Sequence, residues 1–284
     1  RTRRELDDAL SVPFLGDIPR HSTYKDENAD AIVVHENGRD SVSEAFRIIR
    51  TNMEFMRVKS ENLQVVMFTS ANPGAGKTFV SSNLAMSIAQ TNKKVVLVDV
   101  DIRKGTLSGI FSNSSGRMGL THYLSGRTDD LNDIIGTSEE YGKLDIIFSG
   151  PVPPNPAELL LSERFDHLIA ELRKQYDYII VDNVPAGMVA DASIVNRVAD
   201  LTIFVVRSGV MDRRQLPELE NMYRQEQLRN MAVILNGVPS DHKGYGYGYG
   251  YGYGYGYGYG NESHSHNRKR KSLKNLFSRF LKRS

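Results

Sequence analysis

The run Ala71-Asn72-Pro73-Gly74-Ala75-Gly76-Lys77-Thr78 has the spacing [A/G]-x-x-x-x-G-K-[S/T] of a phosphate-binding loop. Gly74 and Gly76 let the backbone bend so that its N–H groups converge on phosphate oxygens, and the helix that follows adds its positive end. From the backbone of residues Asn72 to Phe79 the loop would hold the nucleotide; Lys77 would reach the β- and γ-phosphates and the Thr78 hydroxyl would ligate Mg²⁺. Three carboxylates suit the same chemistry. Asp99 and Asp101 close the apolar run Val95–Val98, and Asp182 closes Tyr178–Val181. A metal held by Thr78 needs further oxygen ligands, and a nucleophilic hydroxyl needs a base. Asp99 and Asp101, two apart, are read as presented together on one strand-like face.

These residues need a scaffold that brings them to one edge. Leu63–Ser70 reads as a strand before the loop, and Phe79–Thr91 as a helix with Val80, Leu84, Ala85 and Ile88 on one side. Further strands are expected at Lys94–Asp99, Leu144–Phe148, Tyr178–Asp182, Leu201–Val206 and Met231–Leu235. Helices are expected over Ser43–Met56, Ala157–Tyr176 and near Arg213–Gln227. Strands alternating with helices predict an α/β fold, a mostly parallel sheet with helices on both faces. In such sheets ligands bind at the carboxyl ends of the strands. Asn236 ends the last strand; it suits either an adenine edge or the turn before Gly237.

The chain has 284 residues, 40% hydrophobic and 25% charged, with a net charge of +2. This is the composition of a soluble globular protein, and the balance does not point to nucleic acid. Cysteine is absent, so disulfides and thiolate metal sites are excluded. Residues 1–41 read as a lead-in linker, with a short apolar piece at Leu10–Pro19. Arg1, Arg3 and Arg4 suit the cytosolic side of a preceding membrane helix by the positive-inside rule, or an arbitrary cut upstream of a soluble domain. The main domain is expected over residues 42–240.

Residues 241–260 carry a Gly–Tyr alternation with tyrosines at Tyr245, Tyr247, Tyr249, Tyr251, Tyr253, Tyr255, Tyr257 and Tyr259. Glycine at every second place disfavours a stable helix or strand, so a disordered, hydroxyl-bearing tail is expected. The bland reading is self-association; the sharper one is a phosphoryl acceptor. Extended, the run spans on the order of 55 Å, enough to reach a neighbouring subunit. Full phosphorylation would add roughly −12 to −16 charges. Residues 261–284 are basic, and Leu273, Leu276, Phe277, Phe280 and Leu281 fall at helical spacing. That pattern fits a helix lying on an anionic membrane over 267–284, a helix docked on protein, or cations that pair with a phosphorylated tail.

Taken together these motifs resemble the cytoplasmic domain of bacterial tyrosine kinases of the capsule and exopolysaccharide co-polymerase type. Ser70–Thr78 resembles the family's Walker A, Val98–Arg103 its Walker A′, and Ile180–Asp182 its Walker B. Glu44, Arg47 and Arg50 match its E-x-x-R-x-x-R motif, which in the family mediates ring-like homo-oligomers. Pro153–Leu160 and Val12–Pro19 also match family segments. Two features depart from it: Asn183-Val184-Pro185 stands where the family runs Thr-Pro-Pro, and the tail is more regular than its tyrosine clusters.

The resemblance implies a P-loop NTPase fold and transfer of the ATP γ-phosphoryl group to tail tyrosines, mainly in trans. Mg²⁺ is managed by Thr78, Asp99, Asp101 and Asp182, with Asp99 as base and Asp101 second. It implies an upstream transmembrane co-polymerase region, a protein-tyrosine phosphatase as partner, and a place on the cytoplasmic side of the bacterial inner membrane. Two rivals stand beside it. A partition- or division-site ATPase switch is favoured by the basic end, but carries a lysine where this chain has Asn72. A non-catalytic scaffold is disfavoured by the intact Lys77, Asp99 and Asp182.

Overall fold

The computed structural model describes residues 2–21, 32–59, 63–111, 118–137, 142–185 and 190–239. The Gly–Tyr run and the basic end lie outside the described residues. Helices are α1 (Arg3–Ala9), α2 (Ser41–Lys59), α3 (Lys77–Ala89), α4 (Leu120–Leu124), α5 (Pro156–Leu161), α6 (Glu163–Gln175), α7 (Ala190–Asn196) and α8 (Leu216–Arg224). Strands are β1 (Phe14–Pro19), β2 (Val65–Thr69), β3 (Val95–Asp99), β4 (Ile135–Thr137), β5 (Leu144–Ile147), β6 (Tyr178–Asp182), β7 (Leu201–Arg207) and β8 (Met231–Val238).

The eight strands form one sheet in the order β1-β8-β7-β2-β6-β3-β5-β4. All neighbours are parallel except β4 and β5. β2, β3 and β6 are buried along their whole length, as their unbroken apolar runs require when both faces are covered. One face packs against Phe165, Leu168 and Leu172 of α6 and Leu219 of α8. The other packs against Phe46, Ile49 and Met53 of α2 and Val80, Leu84 and Ile88 of α3. The P-loop NTPase architecture expected from the sequence is the one observed.

The tertiary arrangement differs from the local expectation at four places. Phe14–Pro19, expected within a lead-in linker, is the edge strand of the sheet. It pairs with β8, and Leu15 and Ile18 are buried against α2. Its Gly and Pro are tolerated because an edge strand need satisfy only one side. Helix α3 is not one-sided: every residue from Val80 to Ala89 is buried, Ser81, Ser82, Asn83 and Ser87 included. The segment at Val33–Val34 covers its outer face, and Asn83 Oδ1 accepts both of their N–H groups, at 2.8 and 3.3 Å. The long helix expected over Ala157–Tyr176 is two helices, broken at Ser162. That residue is extended and its hydroxyl donates back to the Leu159 carbonyl at 2.6 Å, the local competition that serine offers a helix. β4, unforeseen because three residues carry no periodicity, runs against β5.

At the amino-terminal edge of the sheet, Arg173 makes two bonds to Asp200, at 2.7 and 2.8 Å. Asp200 Oδ2 also accepts the N–H groups of Gln64 and Val65. Burial pushes this carboxyl up, but Arg173 and the two N–H groups outweigh it and hold it below the usual carboxylate range. Asp200→Ala takes the carboxylate from Arg173, which keeps only neutral acceptors at Val198 O and Gln64 Oε1, and leaves two N–H donors without their acceptor. A loss of about 2–4 kcal/mol is expected in denaturant unfolding. A loss below about 0.5 kcal/mol would show that solvent replaces the carboxylate.

Candidate active site

The loop from Ser70 to Gly76 links β2 to α3 at the carboxyl edge. Gly74 has φ 75° and Gly76, the N-cap of α3, has φ 88°, both in the left-handed region. The loop's carbonyls are held by side chains from around it. Ser70 Oγ donates to Asn72 O at 2.9 Å, Arg207 to Gly74 O at 2.6 Å, and Asn236 Nδ2 to Ala75 O at 3.0 Å. With their oxygens engaged, the Gly74–Ala75 and Ala75–Gly76 peptide units keep their N–H groups for phosphate oxygens, while the Asn72–Pro73 unit has none to offer. Asn72 is fixed by a reciprocal amide pair with Gln215, at 3.1 and 3.4 Å. Phe79 meets the Phe46 ring edge-on, with centroids 6.1 Å apart, and so seats α3 against α2. Pro73 is exposed.

Asp99 and Asp182 are register partners across β3 and β6, one at the end of each strand. That places their Cα atoms about 4.8 Å apart. Both are buried, and Asp101 is nearly so. Asp101 does not continue the strand as expected. The chain turns after β3, and Asp99 Oδ1 accepts the Asp101 N–H at 3.1 Å, while Oδ2 accepts the Leu107 N–H at 3.1 Å. The turn brings Asp101 to the same cluster. Burial, and then Asp182, pushes the Asp99 carboxyl up to about 8. Burial likewise raises Asp182 to about 6, against the hydroxyl of Thr78 and the charge of Lys77. Burial pulls Lys77 below its usual range, while Asp182 and Asp101 draw it back.

One atom in this cluster points to a metal. Asp182 Oδ1 is buried and has no hydrogen-bond partner among the described residues. Near it are the Thr78 hydroxyl and two further carboxylates, all hard oxygen donors of the kind Mg²⁺ takes. No three acidic or histidine side chains among the described residues close on a metal position by themselves. The set therefore fits an ion that draws its remaining ligands from phosphate and water, the usual habit of Mg²⁺.

The loop residues, Lys77, Thr78 and the three carboxylates are thus brought to one edge. Asn236 is buried at the loop's back with Ala75 as partner. Glu44, Arg47 and Arg50 lie apart on α2. Arg47 pairs with Glu44 at 2.6 Å and donates to Gly38 O, and Arg50 reaches Ser87 O on α3 at 2.5 Å. The eight tail tyrosines lie outside the described residues. Arg207 and Gln215 were missed by sequence reasoning. Arg207 ends an apolar strand at the ligand edge, which was a usable signal; Gln215 had none. Asn236→Ala should leave the Ala75 carbonyl without its buried donor, at a cost of about 1–3 kcal/mol. The KM for ATP is expected to rise more than kcat falls; an unchanged KM would show that the loop holds its shape without this bond.

Fold and loop together define a P-loop nucleoside-triphosphate-binding domain, and the AAA domain family profile matches residues 63–229. A septum site-determining protein from Pyrococcus horikoshii shares the fold at 22% identity and a TM-score of 0.51. More similar proteins are tyrosine kinases. The chain is 39% identical over 204 residues to the tyrosine-protein kinase YwqD of Bacillus subtilis, covering 72% of this chain and 84% of that protein. It is 38% identical over 205 residues to the tyrosine-protein kinase etk of Escherichia coli K12, covering 72% of this chain and 27% of that protein. The solved kinase domain of the E. coli enzyme superposes with a TM-score of 0.75 at 34% identity, covering 88% of this chain and 99% of that one. This chain belongs to the bacterial tyrosine kinases and carries their kinase domain. It spans about a quarter of the length of the E. coli relative.

Proposed function

We propose that this domain is an ATP-dependent protein-tyrosine autokinase. It moves the γ-phosphoryl group of ATP to hydroxyls of Tyr245–Tyr259, mainly on a neighbouring copy within a ring-like oligomer. The observation that carries the proposal is the meeting, at one sheet edge, of an outward-anchored glycine loop and the in-register pair Asp99 and Asp182.

In this reading the loop N–H groups and Lys77 bind the β- and γ-phosphates and take up charge that develops on them. Mg²⁺ would neutralise phosphate charge when bound, with Thr78, Asp99, Asp101 and Asp182 holding it directly or through water. The tyrosine oxygen bonds to the γ-phosphorus as the bond to the β,γ-bridging oxygen breaks, and ADP leaves. The phenol proton passes to the Asp99 carboxylate, with Asp101 as the second candidate. Free tyrosine has a pKa of about 10, so a base is needed near neutrality. Asp99 ends β3 in register with Asp182, at the edge where the phosphates would sit, and a cation in the cluster would keep it ionised and able to accept the proton. The adenine edge is assigned to Asn236 and its surroundings.

Further parts rest on the family. Glu44, Arg47 and Arg50 on α2 form the ring contact. An upstream transmembrane co-polymerase region holds the domain at the cytoplasmic face of the inner membrane, and residues 267–284 touch its anionic surface. Among the described residues no helix is long and apolar enough to cross a membrane. Phosphorylation loosens the ring by repulsion between tails, a protein-tyrosine phosphatase restores it, and the cycle regulates capsular or exopolysaccharide synthesis and export. No nucleic acid takes part.

Incubating the purified chain with Mg-ATP and reading the tail by mass spectrometry tests the reading. Phosphotyrosine at Tyr245–Tyr259 is expected. ADP without phosphotyrosine would make the domain an ATPase switch, and neither product would make it a scaffold.

A further inference from the structure

The chain between β3 and the 3₁₀ turn Thr106–Gly109 is shaped by the carboxylate at its start. Asp99 Oδ1 accepts the Asp101 N–H and Oδ2 accepts the Leu107 N–H, each at 3.1 Å. The Lys104 and Gly105 N–H groups both return to the Asp101 carbonyl, at 3.1 and 2.8 Å. Gly105 has φ 62°, in the left-handed region, and a Cβ there would stand 2.8 Å from Ser149 Oγ, just beyond β5. Leu107 is fully buried. Anchored on both sides, Thr106 keeps an exposed side chain at the nucleotide edge. Its Oγ1 lies 3.3 Å from Thr78 Oγ1. Lys104, on the same turn, is near enough for its charge to act on Lys77. The turn thus faces the phosphate loop with a hydroxyl and a cation.

The Thr78 hydroxyl also bonds to the Asp182 carboxylate. An ionised carboxylate only accepts, so Thr78 donates to Asp182, and Thr106 is the donor between the two hydroxyls. At 3.3 Å that contact is longer than the roughly 2.7–2.8 Å usual for two hydroxyls. An exposed hydroxyl held this loosely turns readily to a stronger acceptor. A phosphate oxygen is one, because a charged acceptor makes a shorter and stronger bond. Thr78 is the hydroxyl assigned to Mg²⁺, an ion that spans the β- and γ-phosphates. The loop's own N–H groups surround the β-phosphate, which leaves the outer, γ end to a donor that comes from the β3 side. We propose that Thr106 is a γ-phosphate-binding residue: it donates to Thr78 in the free domain and to a γ-phosphate oxygen when ATP is bound. ADP has no such oxygen. The contact would therefore be lost on phosphoryl transfer, and the site would favour ATP over the product.

This role deepens the kinase reading, yet it rests only on the loop as a nucleotide site and not on the tyrosine acceptor. The full chain, Thr106→Val and Thr106→Ser are titrated with fluorescent mant-ADP and Mg²⁺. Mg-ADP and the non-hydrolysable ATP analogue Mg-AMPPNP then compete the probe off. Valine keeps the shape and loses the hydroxyl. The turn is held by backbone bonds, so circular dichroism and melting should be unchanged. Mg-ADP affinity is expected to stay within about twofold in all three proteins, since the lost hydrogen bond is not made to ADP. Mg-AMPPNP is expected to bind Thr106→Val about tenfold more weakly than the unaltered chain, as for one hydrogen bond to a charged acceptor. Thr106→Ser is expected to restore most of that affinity. Equal weakening of both nucleotides, or no recovery with serine, would make Thr106 a structural part of the turn and overturn the role. Tighter binding of both by Thr106→Val would show that the hydroxyl only obstructs Thr78, and would overturn it as well. The expected split in a chain that forms no phosphotyrosine would keep the role of Thr106 and remove the kinase reading.

Discussion

Lys77→Met should abolish tail phosphorylation, with kcat lowered by about 10²–10³-fold or more. The side chain starts at the first residue of α3, at the positive helix end, and its ammonium is drawn by Asp182 and Asp101 in a site where burial works against its charge. In the proposed reaction a cation in this place would offset the negative charge that spreads over the phosphate oxygens in the transition state. Methionine keeps the length and the apolar stem, so the fold is expected to survive. The removed charge also leaves Asp182 and Asp99 with less to offset their mutual repulsion, so both carboxyls should bind protons more readily. Quantitative mass spectrometry of Tyr245–Tyr259 after Mg-ATP is the direct measurement. Labelling at the rate of the unaltered chain would end the assignment of the loop as the catalytic phosphate site.

The second large effect is on the pH dependence of stability. Without nucleotide, the domain should melt at a lower temperature at pH 8 than at pH 6. Asp99 and Asp182 hold protons more tightly folded than unfolded, because burial and their pairing across β3 and β6 penalise two adjacent charges. For groups with raised pKa the stabilisation is complete below the unfolded value near 4 and is lost as pH rises through about 6 for Asp182 and about 8 for Asp99. One proton difference is worth about 1.4 kcal/mol per pH unit. Between pH 6 and 8 the drop in Tm is therefore expected to be about 5 °C or more for a domain of this size.

Asp182→Asn removes one charge and relieves Asp99, so it should flatten this profile and raise Tm at pH 8. Activity should nonetheless fall by about 10²-fold, since the unpartnered Oδ1 loses its charge toward the metal. Mg-ADP should flatten the profile of the unaltered chain in the same way, as a cation among the carboxylates displaces their protons. A flat melting profile in the unaltered, nucleotide-free domain would show that the two carboxyls are not coupled as described.

Much of this site was legible in the sequence because its parts are local. The glycine spacing dictates a backbone turn, and a lysine and threonine directly after it must begin the next helix. Apolar runs ending in Asp place charge at the strand ends, where a parallel sheet collects it. Six of the eight strands followed from the same runs, since a strand covered on both faces is apolar at every position.

What only the tertiary structure decided is which distant residues meet. Arg207 and Asn236 grip the loop carbonyls because β7 ends beside β2 and β8 ends beside β7, an arrangement set by strand order rather than by any short pattern. Phe14–Pro19 became a strand because β8 offered it an open edge. Lys93, Lys94, Lys143 and Lys174 are separated by up to about eighty residues in sequence and line one cleft only because strand starts and helix ends share the amino-terminal edge of the sheet. Local chemistry is written in spacing; convergence across the sheet depends on packing, which no single stretch of the chain contains.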